Sequence, residues 1–117
     1  MAAAQYDFTI EQGSKFTLPL VWRSDGGAPV DITGYSVRMQ IRQSVNAPDV
    51  LLEATTANGL FSIDGPAGRL TLTLPSSLTA TISWSRGRYD IELVDPAGEA
   101  RRLIQGSVSV SREVTRG

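Results

Sequence analysis

The sequence predicts an all-β fold, an antiparallel two-sheet sandwich of the immunoglobulin-like kind with about seven or eight strands and one short helix near residues 75–83. Apolar residues recur at every second position in several short segments, as in strands that bury one face. Turns rich in Gly, Pro and Asp separate these segments. No helical pattern is long enough for a crossover between parallel strands. A small β-barrel would bury the same faces and is the alternative.

The length of the chain predicts a single domain. It has 117 residues, 41% of them hydrophobic and 20% charged, which is typical of one globular domain. We expect this domain to span residues 1–117, with extended termini at 1–5 and 111–117. No segment approaches the roughly 20 apolar residues of a membrane-spanning helix, and the N-terminus lacks the pattern of a signal peptide. We therefore expect synthesis in the cytoplasm and no membrane partner.

Alternation of apolar and polar residues defines the strands. It is clearest where Val37, Met39 and Ile41 alternate with polar side chains. Pro19 lacks an N–H group, so its strand should lie at a sheet edge or carry a bulge. Gly106 marks a bulge or a close approach of two backbones. The strand candidates, in chain order, are 6–10, 16–22, 37–42, 50–55, 61–63, 70–74, 88–93 and 104–110.

Turn chemistry separates these strands. The segments 24–29, 64–68 and 95–98 combine Asp with Gly and Pro, and two of them join strands closely enough to be hairpin loops. Pro75 and the two serines after it predict the start of a helix, with Leu78 and Ile82 on one face. This helix should have about two turns and end before Trp84.

Composition argues against catalysis. The chain has no cysteine and no histidine, which removes thiolate nucleophiles, the usual general base near neutral pH and the commonest metal ligands. Its net charge of −1 provides no basic field for nucleic acid, and no glycine motif matches a phosphate-binding loop. We therefore expect no enzymatic activity, no cofactor, no bound metal and no nucleic-acid partner.

Two carboxylates are the remaining candidates for acid–base chemistry. Asp90 and Glu92 share one strand face, about 6–7 Å apart by strand rise, which overlaps the range for paired-carboxylate glycoside hydrolysis. We favour a simpler interpretation, a solvated outer face on which Arg88 and either Arg101 or Arg102 pair with these carboxylates.

Arginine dominates the basic residues, since Lys15 is the single lysine among the 11 basic residues. Arginine suits protein interfaces, but cross-strand ion pairs would explain the same residues, and both interpretations stay open. Arg38 and Arg42 should share a strand face, and four other arginines should gather around the last hairpin. Trp22 and Trp84 are expected in the core or at its rim, and stacking on sugars is the alternative. The residues expected in an interface are Tyr6, Phe8, Arg38, Arg42, Trp84, Arg86, Arg88, Arg101, Arg102, Arg112 and Arg116.

The order of several segments resembles a known family. Glu11-Gln12-Gly13 precedes the first long strand, and Asp31-Ile32-Thr33-Gly34-Tyr35 precedes the second. Gly87-Arg88-Tyr89-Asp90-Ile91-Glu92-Leu93 and Leu103-Ile104-Gln105-Gly106-Ser107-Val108-Ser109-Val110 follow. This order is similar to that of small proteins encoded among the tail genes of tailed bacteriophages, and to the N-terminal β-sandwich of phage baseplate upper proteins.

The resemblance implies a structural protein of the virion, made in the host cytoplasm. It would be an adaptor in the tail, baseplate or head–tail joint, present in multiple copies and binding other phage structural proteins such as fibre, portal or capsid components. The first strand, near Tyr6, and the last, ending near Arg116, would be docking edges. The alternatives are a capsid decoration protein and a glycan-binding module in which Trp84, Tyr35 or Tyr89 stacks on sugar rings.

Overall fold

Two sheets packed face to face form the structure, a computed structural model that describes residues 3–116. A larger six-stranded sheet has the order β1-β9-β8-β4-β5, with β2 also paired to β9, and a smaller sheet has the order β3-β7-β6. The predicted all-β sandwich is confirmed. The elements are β1 (Ala4–Gln5), β2 (Phe8–Glu11), β3 (Phe16–Val21), β4 (Ser36–Arg42), β5 (Val50–Thr55), β6 (Phe61–Asp64), β7 (Arg69–Leu74), α1 (Ser76–Thr79), β8 (Arg86–Val94) and β9 (Ala100–Ser111).

The strand order is that of the immunoglobulin fold. In that fold one sheet contains strands B, E and D, and the other contains G, F and C, with C′ added in variable-type domains. Here β3-β7-β6 occupies the B-E-D positions and β9-β8-β4-β5 occupies G-F-C-C′.

The first strand departs from the antiparallel arrangement that the sequence predicts. Both β1 and β2 run parallel to β9, with Ala4 opposite Ile104 and Phe8 opposite Val108. All other strand pairs are antiparallel. β1 and β2 therefore belong to the larger sheet, and the chain crosses to the smaller sheet at β3, which leaves the smaller sheet with three strands.

The core lies between the sheets and comes from the predicted alternation. In β4 the side chains of Val37, Met39 and Ile41 are at most 1% exposed, while the residues between them face solvent. The other large side chains that are less than 2% exposed are Ile10, Ile32, Leu70, Leu72, Leu74, Ile91, Leu93, Val108 and Thr79.

Pro19 lies at an edge, as the sequence predicts. β3 is the first strand of the smaller sheet and its register with β7 is continuous. The N–H of Trp22 donates to the carbonyl of Gly68 at 2.9 Å, and hydrogen-bonded pairs alternate along antiparallel strands. The nitrogen of Pro19 therefore points away from β7, where no ladder hydrogen bond is lost.

The helix is shorter than the two turns predicted. It covers only Ser76–Thr79. Two turns follow it, in which the N–H of Thr81 donates to the carbonyl of Leu78 and the N–H of Ile82 donates to the carbonyl of Thr79. The sequence from 79 to 83 is rich in Thr, Ile and Ser, which have modest helix propensity. Thr79 has a competing role, because its buried hydroxyl donates to the carbonyl of Ser14 at 2.8 Å.

Two of the predicted turns join adjacent antiparallel strands. The segment 64–68 connects β6 to β7, and 95–98 connects β8 to β9. At Gly106 the close-approach alternative is the one that occurs, since an added Cβ would overlap the backbone of Tyr6. The register shift of this hairpin lies elsewhere, at Ile91 and Glu92.

Candidate functional site

The outer face of the larger sheet carries a network of charged and polar side chains. Arg38 Nε lies 2.7 Å from Glu92 Oε1, and Arg102 Nε lies 3.4 Å from Asp90 Oδ2. These pairs join β4 to β8 and β8 to β9. Each is solvent-exposed and contributes at most about 1 kcal/mol to stability. The face is thus a polar surface on which charges of opposite sign lie next to each other on neighbouring strands.

The two carboxylates singled out in the sequence lie on this same face. Asp90 and Glu92 border a depression of about 400 Å³ together with Arg38, Gln40 and Glu53. Each of the two carboxylates contacts an arginine, and the depression opens on the solvated face of the sheet. These are cross-strand ion pairs of the kind that we favoured over glycoside hydrolysis, but the partner of Glu92 is Arg38 and not Arg88, which donates to Ser107 Oγ instead.

Arg42 shares this face with Arg38, as expected. Its guanidinium donates to the backbone carbonyls of Ala47 and Pro48 at 2.9 and 3.0 Å, and to Gln40 Oε1 at 2.8 Å. Arg42 therefore fixes the connection between β4 and β5. That connection carries Val45, which is 76% exposed.

The expected cluster of arginines around the last hairpin does not form. Arg86 and Arg88 lie at the start of β8, whereas Arg101 and Arg102 lie at the start of β9, beside the turn. The four-residue separation of Arg88 from Glu92, the partner of Arg102, corresponds to about 13 Å along the strand. The prediction failed because antiparallel pairing places the starts of two consecutive strands at opposite ends.

Arg101 and Arg102 also lie on opposite faces, since they are consecutive in a strand. Arg102 pairs with Asp90 on the outer face, while the guanidinium of Arg101 lies 5.4 Å from the centre of the Trp22 ring. Trp22 in turn packs edge-on against Tyr35 at 6.3 Å. Trp22 is thus half-buried at the rim of the core, as expected.

Phe8 is not a surface residue, so the prediction that it lies in an interface is wrong. Its side chain is 8% exposed and packs against the rings of Phe16 and Tyr89, at centroid distances of 5.1 and 4.9 Å. Alternation with Ile10 along β2 was the sequence signal for this burial. Tyr6, by contrast, is 43% exposed and stacks on Phe8.

A buried tyrosine links the first strand to the larger sheet. The Tyr89 hydroxyl donates to the carbonyl of Tyr6 at 2.6 Å. Burial raises the pKa of Tyr89 above its ordinary value, and the nearby carboxylate of Asp7 raises it further. Asp7 Oδ1 accepts the N–H of Ser107 at 2.8 Å. These hydrogen bonds hold the Tyr6–Asp7 junction against β9.

The last strand is not a docking edge. Over residues 104–111, β9 pairs with β8 on one side and with β1 and β2 on the other, so the backbone groups of this stretch are engaged within the chain. The segment after it is fastened as well, because the N–H of Glu113 donates to Gln12 Oε1 and Arg112 donates to the carbonyl of Ser83, both at 2.9 Å. Arg116 is exposed and donates to the carbonyl of Glu113.

Two grooves flank the smaller sheet, which is too narrow to cover the larger one. One groove, of about 280 Å³, is mainly apolar, runs beside β3 and is lined by Ala4, Leu20, Val21, Trp22, Arg23, Leu103 and Ile104. The other, of about 420 Å³, lies between β5 and the helix and has a mixed lining, with Leu51, Leu60, Leu78 and Trp84 beside polar residues such as Glu53 and Asn58. The sequence analysis missed both, because they depend on the unequal widths of the sheets.

Sequence comparisons with known families and curated proteins provide no relative for this chain. No model of a known protein family matches the chain, and no curated protein sequence shows significant similarity to it. Within residues 3–116, no three acidic side chains come together as metal ligands would. None of the helical structure in that range has the length and apolar character that crossing a membrane requires.

Proposed function

We propose that the protein is a structural component of a bacteriophage virion, an adaptor that joins larger parts of the tail, baseplate or head–tail joint. The observation that carries the proposal is the mismatch between a six-stranded and a three-stranded sheet, which leaves strand edges and two grooves, one of them mainly apolar, at the surface. Such edges and grooves bind protein segments. The resemblance of the order of its sequence segments to that of phage tail proteins supplies the biological setting.

The chemistry of the chain also favours a binding role. It has neither histidine nor cysteine, and the two carboxylates with suitable spacing each contact an arginine. The arginines on the outer face, including Arg38 and Arg42, are held in place by hydrogen bonds. Ordered arginine side chains lose little conformational freedom when a partner binds, and they are common in interfaces.

Purified particles of the encoding phage test this proposal. We expect mass spectrometry to find the protein at a copy number that matches a symmetric ring or array. An amber mutation in its gene should give particles that lack a defined part, visible by electron microscopy and restored by expression of the protein in trans. Complete, infectious particles without the protein would contradict the proposal.

A capsid decoration protein would have the same fold and the same kind of surface. Imaging of particles that carry a labelled copy distinguishes the two locations. Label on the head would favour decoration, and label at the tail or the joint would favour the adaptor.

Glycan binding is supported by one of its three candidate aromatic residues. Tyr89 is 4% exposed and Tyr35 packs against Trp22, whereas Trp84 lines the groove beside β5. Quenching of tryptophan fluorescence by host polysaccharide, abolished in Trp84→Phe and retained in Trp22→Phe, would favour this alternative.

A further inference from the structure

Within residues 3–116, three of the four strands at the sheet edges are obstructed. On β3, Pro19 places its ring nitrogen where a partner strand would need a donor. On β5, the side chain of Asn58 accepts the N–H of Thr55 at 2.9 Å and donates to the carbonyl of Glu53 at 3.0 Å. It therefore occupies the backbone groups that a neighbouring strand would use.

The third obstructed edge is β6, which is short and closed at its far end. It has four residues. Just after it, the carbonyl of Gly65 accepts the N–H of Ile32 at 2.9 Å. A partner strand could contact only the short stretch before this point.

The fourth edge, formed by residues 4–11, has none of these obstructions and is the longest. β1 and β2 keep one register with β9, and the N–H groups of Tyr6 and Gln12 donate to carbonyls of β9. Alternate residues of a strand direct their backbone groups to the same side. The backbone groups of Gln5, Asp7, Thr9 and Glu11 therefore point outward, and all four residues are exposed.

From this edge we propose that residues 4–11 bind an extended segment of a partner protein, which adds a strand to the larger sheet. The inference rests on the proposed adaptor function and specifies its docking site. The segment would cover about 23 Å of edge. Strand addition of this kind derives affinity from backbone hydrogen bonds and specificity from alternate side chains.

The charge of the edge indicates a basic partner. Residues 4–11 contain Asp7 and Glu11 and no basic residue. The cations of β8 near this edge are Arg86, which is paired with the Ser109 that lies opposite Thr9, and Arg88, which is paired with Ser107. Both are two strand spacings away, about 10 Å, and Arg88 donates to Ser107 Oγ. Lysine or arginine on the partner segment would face Thr9 and Glu11 directly, where opposite charges on adjacent strands stabilise pairing.

The same charges disfavour a second copy of this chain. A symmetric antiparallel pairing centred on Thr9 would place Asp7 of each copy opposite Glu11 of the other. Centring on Glu11 would place two glutamates opposite each other. Like charges directly opposite destabilise a strand pair, so the edge is better matched to a different, basic chain.

The groove beside β3 adds an apolar requirement. Ala4 of the edge lines this groove together with Leu20 and Trp22. Side chains of an added strand alternate between the two faces of the sheet, so those on the inner face near Ala4 would enter the groove. The partner segment should therefore alternate basic residues on the outer face with apolar residues on the inner face.

Titration of the isotope-labelled protein with two synthetic peptides tests the proposal by NMR. One peptide is acetyl-Lys-Val-Lys-Val-Lys-Val-Lys-amide, and the other has glutamate in place of each lysine. We expect the lysine peptide to shift the amide signals of Gln5, Asp7, Thr9 and Glu11 saturably and to slow their hydrogen exchange. The glutamate peptide should bind at least tenfold more weakly.

Two pairs of variants locate the binding. Thr9→Pro removes an outward N–H group and should weaken the lysine peptide at least tenfold, while Thr17→Pro makes the same change on the edge of β3 and should leave binding unchanged. Glu11→Lys leaves the backbone donors and acceptors unchanged and should abolish the preference between the peptides, because the edge then carries one charge of each sign. Glu99→Lys, with the same change of charge in the β8–β9 turn, should preserve the preference.

Several results would overturn the proposal. These are no saturable shift at millimolar peptide, shifts confined to another edge, and equal binding of the two peptides. Concentration-dependent dimers that Thr9→Pro dissociates would assign the edge to a second copy instead. The particle experiments are independent of these results, so a virion component without peptide binding would refute the edge alone. Peptide binding by a protein absent from virions would refute the adaptor function alone.

Discussion

Gly106→Ala tests the close packing of the first strand on the last. The backbone dihedral φ of Gly106 is not positive, so alanine causes no conformational strain there. A Cβ at this position would lie 2.7 Å from the carbonyl carbon of Tyr6, closer still to its oxygen, and 2.8 Å from Asp7 Oδ1. Ordinary contact begins at 3.4 Å, so the Tyr6 backbone must move by roughly 0.7 Å or more.

The cost of that movement follows from the contacts it disturbs. Overpacking alone costs about 1–3 kcal/mol. The displaced carbonyl of Tyr6 is also the acceptor for the buried Tyr89 hydroxyl, and an unsatisfied buried group costs about 1–3 kcal/mol. We expect Gly106→Ala to lower the free energy of unfolding by about 2–4 kcal/mol, since relaxation recovers part of the total.

Urea denaturation of four variants measures this effect. Gly26→Ala is the matched control, because φ there is not positive and an added Cβ meets nothing within 4 Å. It should change stability by less than about 1 kcal/mol. Tyr89→Phe should cost about 1–2 kcal/mol, and the double variant should cost less than the sum of the two single ones. A loss below 1 kcal/mol for Gly106→Ala, or full additivity, would refute the proposed packing.

Three further predictions concern buried and surface polar groups. Thr79→Val should lower the free energy of unfolding by about 1–3 kcal/mol because the N–H of Gly13 loses its acceptor. Thr79→Ser keeps a hydroxyl at this position and should retain most of the stability that Thr79→Val loses. Arg38→Ala should cost less than about 1 kcal/mol through loss of the Glu92 ion pair, and 1 M NaCl should shrink the difference in urea denaturation. The pKa of Tyr89 is raised in the folded state, so stability should fall as pH rises above about 10, by up to about 1.4 kcal/mol per unit. Tyr89→Phe should flatten that slope between pH 9 and 11.

Local sequence signals predict much of this fold because they act on single residues. The alternation around Met39 determines which face of β4 is buried, and the missing N–H of Pro19 confines β3 to an edge. The same signals do not determine which strand lies beside the first one. The parallel pairing of β2 with β9 joins residues about 100 positions apart in sequence, Phe8 and Val108, and alternation is identical for either partner.

Some predictions about surface residues failed because they ignored that successive residues of a strand lie on opposite faces of the sheet. Arg101 and Arg102 are adjacent in sequence, yet one contacts Trp22 at the rim and the other pairs with Asp90 outside. The period of two along a strand already implies this separation. The burial of Phe8 could also have been predicted from the sequence, because Phe8 and Ile10 alternate with polar residues. The residues that line the two grooves could not be found in this way, since no local pattern specifies the widths of the two sheets.

The distribution of edge protection supports a binding role for the first strand. An edge strand exposes hydrogen-bonding groups that invite aggregation, and proteins usually block them. This chain blocks β3 with a proline and β5 with the side chain of Asn58, although those edges are shorter than the edge at residues 4–11. A long edge left open, beside others that are closed, is more consistent with a surface kept for a partner than with incomplete protection. The acidic residues Asp7 and Glu11 then serve two purposes, because they repel a second copy and attract a basic segment.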